Sequence, residues 1–166
     1  IGHANNTYEL MRKKAEACIE KFVKENGKQF SEVEYVEKYF EVAFRKDILV
    51  NGRIDLIRRK NIEGKWEVII VDYKTGEKKP SELEQRLQLE IYALGYKKLT
   101  GHDADVLEIV DIEGNEVISS RAVLPENLED TAERIRDACD EILDNNNVKR
   151  VCEKNKCKNC NHRLMC

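Results

Sequence analysis

The chain has 166 residues, enough for one domain with a real core, and 41% of them are hydrophobic against 37% charged. No run approaches the roughly 20 apolar residues of a membrane span and no secretory signal is visible, so a cytoplasmic protein without membrane contact is expected. The net charge of -3 argues against a uniformly basic nucleic-acid binder, yet leaves room for local patches. Candidates are Arg58-Arg59-Lys60, Lys78-Lys79 and the tail residues Lys149, Arg150, Lys154, Lys156 and Lys158. The chain opens at Ile1 rather than Met, and is expected to be a fragment or a processed form with something functional upstream.

In chain order, residues 7–24 carry Leu10, Ala17, Ile19, Phe22 and Val23 at helical spacing, and Asn26-Gly27 ends that helix. Residues 34–44 alternate through Val36, Tyr39, Phe40, Val42 and Phe44 and read as a strand. Residues 48–57 read as a second strand, with Asn51-Gly52 marking a bulge or tight turn, and residues 61–64 as a hairpin loop. Residues 66–73 form a third strand whose centre is apolar enough to be buried on both faces. Trp66 at its head reads as core or edge packing.

Thr75-Gly76 and Pro80 then break the chain. Ser81 caps a long helix running to about Leu99, with Glu84 completing a capping box. Residues 106–112 and 117–123 are a strand pair turning at Glu113-Gly114-Asn115. Residues 127–143 are the last helix, closed by Asn145-Asn146-Asn147. The order is helix, three strands, helix, two strands, helix: an α/β protein. Its domain covers residues 1–147, followed by a cysteine-rich tail over 148–166. Cys18 and Cys139, within helices, read as buried, unreactive thiols. His102 lies in a polar loop and reads as solvated.

The chemistry concentrates behind the third strand. Asp72, Tyr73 and Lys74 follow the apolar run Val68-Ile69-Ile70-Val71, and Asp55 lies one strand upstream in Gly52-Arg53-Ile54-Asp55. Strand side chains alternate, so Asp72 and Lys74 project to one side and Tyr73 to the other. If Asp55 comes from the neighbouring strand, two acids can share a divalent cation with an ammonium beside it. Magnesium or manganese suits such oxygen ligands better than zinc. Those elements are the minimum set for metal-assisted phosphodiester cleavage. Taken alone, Asp72 and Lys74 would equally fit a surface ion pair and Asp55 a turn acid.

Three stretches, in order and on the expected elements, separate the two readings: Gly52-Arg53-Ile54-Asp55, then Val71-Asp72-Tyr73-Lys74-Thr75-Gly76, then Gln88-Leu89-Glu90-Ile91-Tyr92. With them the sequence resembles the PD-(D/E)XK nuclease superfamily, in particular its RecB-like branch. That branch includes nuclease domains of helicase-nucleases and CRISPR-associated exonucleases. The resemblance implies a restriction-endonuclease-like core, a central mixed β-sheet flanked by helices, over roughly residues 1–123.

It also implies roles. Asp55 and Asp72 would be metal-ligating carboxylates and the main-chain carbonyl of Tyr73 a further oxygen ligand. Lys74 would orient or activate the attacking water, or stabilise developing charge. Gln88 and Tyr92, at i and i+4, would line the site from the helix. A His or Glu on the first helix would add a ligand, a part that falls to His3 with Glu9 as the alternative. The implied activity is metal-dependent DNA cleavage, with single-stranded ends as substrate and a helicase domain or subunit as partner in repair or recombination. The rival from another class is a non-catalytic DNA-binding or assembly module.

Cys152, Cys157, Cys160 and Cys166 give C-x4-C-x2-C-x5-C, four cysteines in fifteen residues and a metal-binding pattern. His162 could replace one sulfur. The RecB-like branch often ends in C-x2-C-x5-C and completes a four-iron, four-sulfur cluster with a distant upstream cysteine. Either Cys152 or such a residue completes the set in this chain, and zinc is the alternative metal. A third reading makes this tail a redox sensor or an interaction element.

Overall fold

The structure is a computed structural model that describes residues 2–76 and 81–144, with side chains from residue 7 onward. The cysteine tail with His162, Lys78-Lys79, the Asn145-Asn146-Asn147 stop and the His3 side chain lie outside the described residues. The chain divides into two units, Ile1–Ala132 and Glu133–Cys166. The first holds the sheet, two helices and the start of a third. The described part of the second is the remainder of that third helix.

Helix α1 (Gly2–Asn26) and a 3-10 turn (Gly27–Glu32) precede β1 (Val33–Arg45), β2 (Ile48–Ile62) and β3 (Lys65–Lys74). Helix α2 (Glu82–Thr100), β4 (Val106–Asp111), β5 (Glu116–Ala122) and α3 (Pro125–Leu143) follow. The five strands lie in chain order in one sheet. All neighbours are antiparallel except β3 and β4, which are parallel. A parallel pair needs a crossover, and α2 supplies it. This is an α/β fold with a mixed sheet and flanking helices, consistent with a restriction-endonuclease-like core.

Local chemistry explains the punctuation. Glu63 and Gly64 both take positive φ, 52° and 88°, as a two-residue hairpin turn requires, and Asn61 Oδ1 accepts from Gly64 N at 2.9 Å. Ser81 Oγ accepts from Glu84 N at 3.3 Å while Glu84 Oε2 accepts from Ser81 N at 2.8 Å, a complete capping box that starts α2. Gly101, at φ 75°, ends it with a hydrogen bond from its N–H to Lys97 O.

The sheet is apolar on both faces. Phe40, Ile54, Ile57 and Ile70 pack with Leu89 and Tyr96 of α2, while Leu56, Ile69 and Val71 form a second cluster with Tyr73 on the other side. There Phe22 of α1 meets the Tyr73 ring edge-on, with centroids 5.7 Å apart. Within the first unit the start of α3 meets α2 through Thr131 Oγ1, which donates to the buried Glu90 Oε2 at 2.6 Å. Among the described residues no helix is long and apolar enough to cross a membrane.

Several sequence expectations change. Asn51-Gly52 is neither bulge nor turn: β2 runs straight through it, with Gly52 opposite Phe40. A Cβ there would come within 2.8 Å of the Phe40 ring, so close approach, not a bend, needs the glycine. Trp66 is 59% exposed and is not core, because β4 pairing begins only at Ile69. Cys18 and Cys139 are half-buried rather than buried.

Arg58 is not available to phosphates. It is buried, with Nη2 donating to Glu108 Oε2 at 2.6 Å and Nη1 to Glu32 Oε2 at 3.2 Å and Gln29 Oε1 at 3.0 Å. It neutralises two acids beneath α1. Arg59 is exposed and pairs with Glu34 at 3.4 Å.

Candidate active site

The antiparallel register of β2 and β3 pairs Leu56 with Val71, and one step further brings Asp55 level with Asp72. The two acids are near neighbours: Asp55 Oδ2 accepts from the main-chain N–H of Tyr73 at 2.9 Å. Asp72 is 2% exposed at the end of the double-buried stretch of β3. Lys74, two residues on and so on the same face, places Nζ 2.6 Å from Asp72 Oδ2. Tyr73 turns the other way, toward Phe22.

Helix α2 closes the site from above. Lys74 Nζ donates to Gln88 Oε1 at 2.8 Å, and Gln88 Nε2 donates to the Tyr92 hydroxyl at 2.9 Å. Tyr92 is braced edge-on by Phe40, with centroids 6.1 Å apart. The structure therefore brings Asp55, Asp72, Tyr73, Lys74, Gln88 and Tyr92 together. Glu9 is not among them: it is exposed on α1 and pairs with Arg12 at 3.2 Å.

The electrostatics are unbalanced toward negative charge. Burial pushes the Asp72 carboxyl above the usual carboxylate range, Lys74 pulls it down, and the Asp55 charge pushes it up again. Burial also raises Tyr92, against the Gln88 hydrogen bond, and the charges of Asp55, Asp72 and Glu37 add to the rise. Asp72 Oδ2 is fully enclosed, and its partner is the Lys74 ammonium 2.6 Å away. A buried carboxylate that shares its site with a second acid and a single ammonium fits a place for a hard cation. Among the described residues no group of three or more His, Cys, Asp or Glu gathers for a metal, so any further protein ligand comes from main-chain oxygen or from outside them.

The raised Asp72 pKa carries a stability prediction for the cation-free protein. A carboxyl with a folded pKa above its unfolded value of about 3.9 costs nothing below that value. Its cost grows as pH rises through the window up to the folded pKa and is constant above it. Asp72→Asn removes the cost. Thermal melts in chelator should show the variant more stable than wild type at neutral pH, with the gain shrinking toward about pH 4. A variant less stable than wild type at neutral pH would contradict this.

Sequence reasoning passed over Glu37 and Glu90. Glu90 sits inside the Gln88 to Tyr92 stretch, and its burial against Thr131 depends on a partner 41 positions away. Glu37 has no signal in residue type, because what marks it is a backbone angle.

Two acids and a lysine at the ends of neighbouring strands of a mixed sheet, roofed by a crossover helix, define a nuclease-type site. A family description of the PD-(D/E)XK nuclease superfamily matches residues 3–166, and the chain belongs to that superfamily. Members generally use magnesium or manganese and act as nuclease hydrolases, which implies DNA as substrate. Among solved structures, SSO0001 is similar in fold, with a TM-score of 0.51 and 21% identity over 96% of this chain and 70% of that one. A Eubacterium rectale protein provisionally named an exonuclease gives 0.55 and 15% identity over 92% of this chain and 59% of that one. No curated protein matches the chain.

Proposed function

We propose that this chain is a divalent-metal-dependent DNA nuclease domain of the RecB-like branch, acting as an exonuclease on single-stranded ends. The carrying observation is the pair Asp55 and Asp72 at neighbouring strand ends, with Asp72 2% exposed and Lys74 Nζ 2.6 Å from its Oδ2. A surface ion pair, the plain alternative for these residues, would be exposed. Asp72 is not.

Asp55, Asp72 and the main-chain carbonyl of Tyr73 would hold magnesium or manganese, with His3 as a further candidate ligand. An ion held by these groups would supply Lewis acidity toward water and offset charge on the phosphate. The protein's own groups do the rest. The Lys74 ammonium presents positive charge where the phosphodiester oxygens gain negative charge as water attacks phosphorus and the P–O bond to the leaving strand breaks. Gln88, held by Tyr92, fixes the direction of that ammonium from the helix side. Helix α2 and the sheet shield Asp72 from bulk water, which strengthens each of these interactions.

The wider context is part of the same reading. The nuclease domain spans residues 1–147, and the partner is a helicase domain or subunit in repair or recombination. Cys152, Cys157, Cys160 and Cys166 hold an iron-sulfur cluster, or zinc, as a staple for the tail. Support for the tail is the cysteine spacing alone, and iron and sulfide analysis of anaerobically purified protein decides between the metals.

The function is tested by incubating the protein with linear single-stranded DNA, linear duplex and a closed single-stranded circle, each with magnesium, manganese or chelator. The expected result is shortening of linear single strands with either ion, none in chelator, and sparing of the circle. Cleavage in chelator, or binding without cleavage under every condition, would instead favour a non-catalytic DNA-binding module.

A further inference from the structure

Glu37 holds a left-handed backbone, φ 51°, in the middle of β1. Among the described residues the other non-glycine positions with positive φ, Glu63 and Asn115, lie in hairpin turns, where that conformation is ordinary. Inside a strand it is a strained state for a residue with a Cβ, and such states persist only where the surroundings impose them.

Both strands change face at this level. On β1, Tyr35 packs into the core under α2, Val36 lines the opposite face with Leu56, and Phe40 and Val42 are under α2 again. The position under α2 is Tyr35 before Glu37 and the even-numbered Phe40 and Val42 after it, while Val33, beyond a separate register shift next to Tyr35, lies on the opposite face. On β2, Ile54 and Ile57 both belong to the core under α2, while Leu56 belongs to the other cluster. A regular strand cannot put residues three apart on one face. The pairs Val36 with Leu56 and Lys38 with Ile54 keep one register across Glu37 and Asp55, so the two strands change face together at this point. This matched change of face lets Asp55 reach the backbone of Tyr73, beside Asp72, while its chain neighbour Ile54 stays fully buried in the core. The Glu37 side chain plays little part: it is 60% exposed and only loosely paired, 3.7 Å from Arg53.

We propose that Glu37 is a positioning residue for the nuclease site: its left-handed backbone sets the change of face that keeps Asp55 beside Asp72 while Ile54 enters the core, and its side chain is dispensable. The catalytic consequence rests on the reading of Asp55 and Asp72 as a cation-binding pair. The structural consequence does not.

The test compares Glu37→Gly, Glu37→Ala and Glu37→Val. Glycine adopts the left-handed region freely, alanine resists it, and β-branched valine resists it most. The first readout needs no metal: NMR hydrogen exchange at the Tyr73 amide, which Asp55 Oδ2 accepts at 2.9 Å. Protection at Tyr73 should equal wild type in Glu37→Gly, fall in Glu37→Ala and fall furthest in Glu37→Val, while the amides of Ile70 and Ile109 stay protected. Should the valine protein not fold, the glycine and alanine pair decides.

The second readout is manganese affinity by calorimetry. It should weaken about tenfold in the alanine or valine protein, as when a supporting residue around a metal ligand is lost. The maximal cleavage rate should recover at saturating manganese. Unchanged Tyr73 protection in Glu37→Ala and Glu37→Val overturns the proposal. So does a glycine protein as impaired as the alanine one, which would assign the role to the side chain. If Tyr73 follows the expected order but wild type itself binds no manganese, the positioning role stands and the cation reading fails.

Discussion

Asp72→Asn is expected to lower the rate of DNA cleavage at least about a hundredfold, equivalent to about 2.7 kcal/mol of lost transition-state stabilisation, the scale set by removal of single preorganised electrostatic groups. Lys74→Met should fall in the same range. Neither change should unfold the protein: Asn keeps the shape of Asp72, and the Lys74 ammonium supports no core contact. Gln88→Ala should cost less, because it loosens the ammonium without removing it. Because Asp72 and Lys74 act on one centre, the double variant should be scarcely worse than either single one. Single-turnover cleavage of one labelled oligonucleotide by each folded variant checks the series. Wild-type rates for a folded Asp72→Asn protein would remove the site assignment.

The largest stability effects should come from Phe40. Its ring is 1% exposed and is wedged between two glycines, Gly52 on β2 and Gly95 on α2. A Cβ on Gly95 would stand 2.4 Å from the ring's Cγ, at the rigid end of the side chain, so the ring or the helix must move. Phe40→Ala should cost about 3–5 kcal/mol through lost burial and a cavity. Gly95→Ala should cost about 1–3 kcal/mol by overpacking, despite alanine's better helix propensity. The two effects must be strongly non-additive: once the ring is gone, Gly95→Ala should be neutral or stabilising. Urea melts of the four proteins measure this. Additive losses would show that the ring does not set the spacing between helix and sheet. Cleavage should also suffer in Phe40→Ala, since Phe40 braces Tyr92, which holds Gln88.

What was legible in the sequence is what depends on local pattern. The run Val68-Ile69-Ile70-Val71 announces a strand buried on both faces, and the acids and lysine behind it must then fall at its end. Ser81 and Glu84 announce the start of α2, because a capping box is complete within four residues. What was not legible depends on which distant element covers which face. Gly52 reads as a turn residue, but its missing Cβ answers to a ring on the neighbouring strand. Arg58-Arg59-Lys60 reads as a basic patch, but Arg58 turns inward beneath α1 to meet Glu32 and Glu108. The change of face at Glu37 is written in no residue type, since glutamate has no preference for the left-handed region. Alternation alone put Asp55 on the right strand, but only the structure brings it beside Asp72.

The central claim is that Asp55 and Asp72 form a cation site on which DNA cleavage depends. Its most direct measurement is a manganese titration of wild type and Asp72→Asn, followed by thermal melting in the absence of DNA. Wild type should bind the ion and gain stability with concentration, by about 2.7 kcal/mol at a hundredfold excess over the dissociation constant. Asp72→Asn should gain none over the same range. Equal stabilisation of both proteins by manganese would contradict the account.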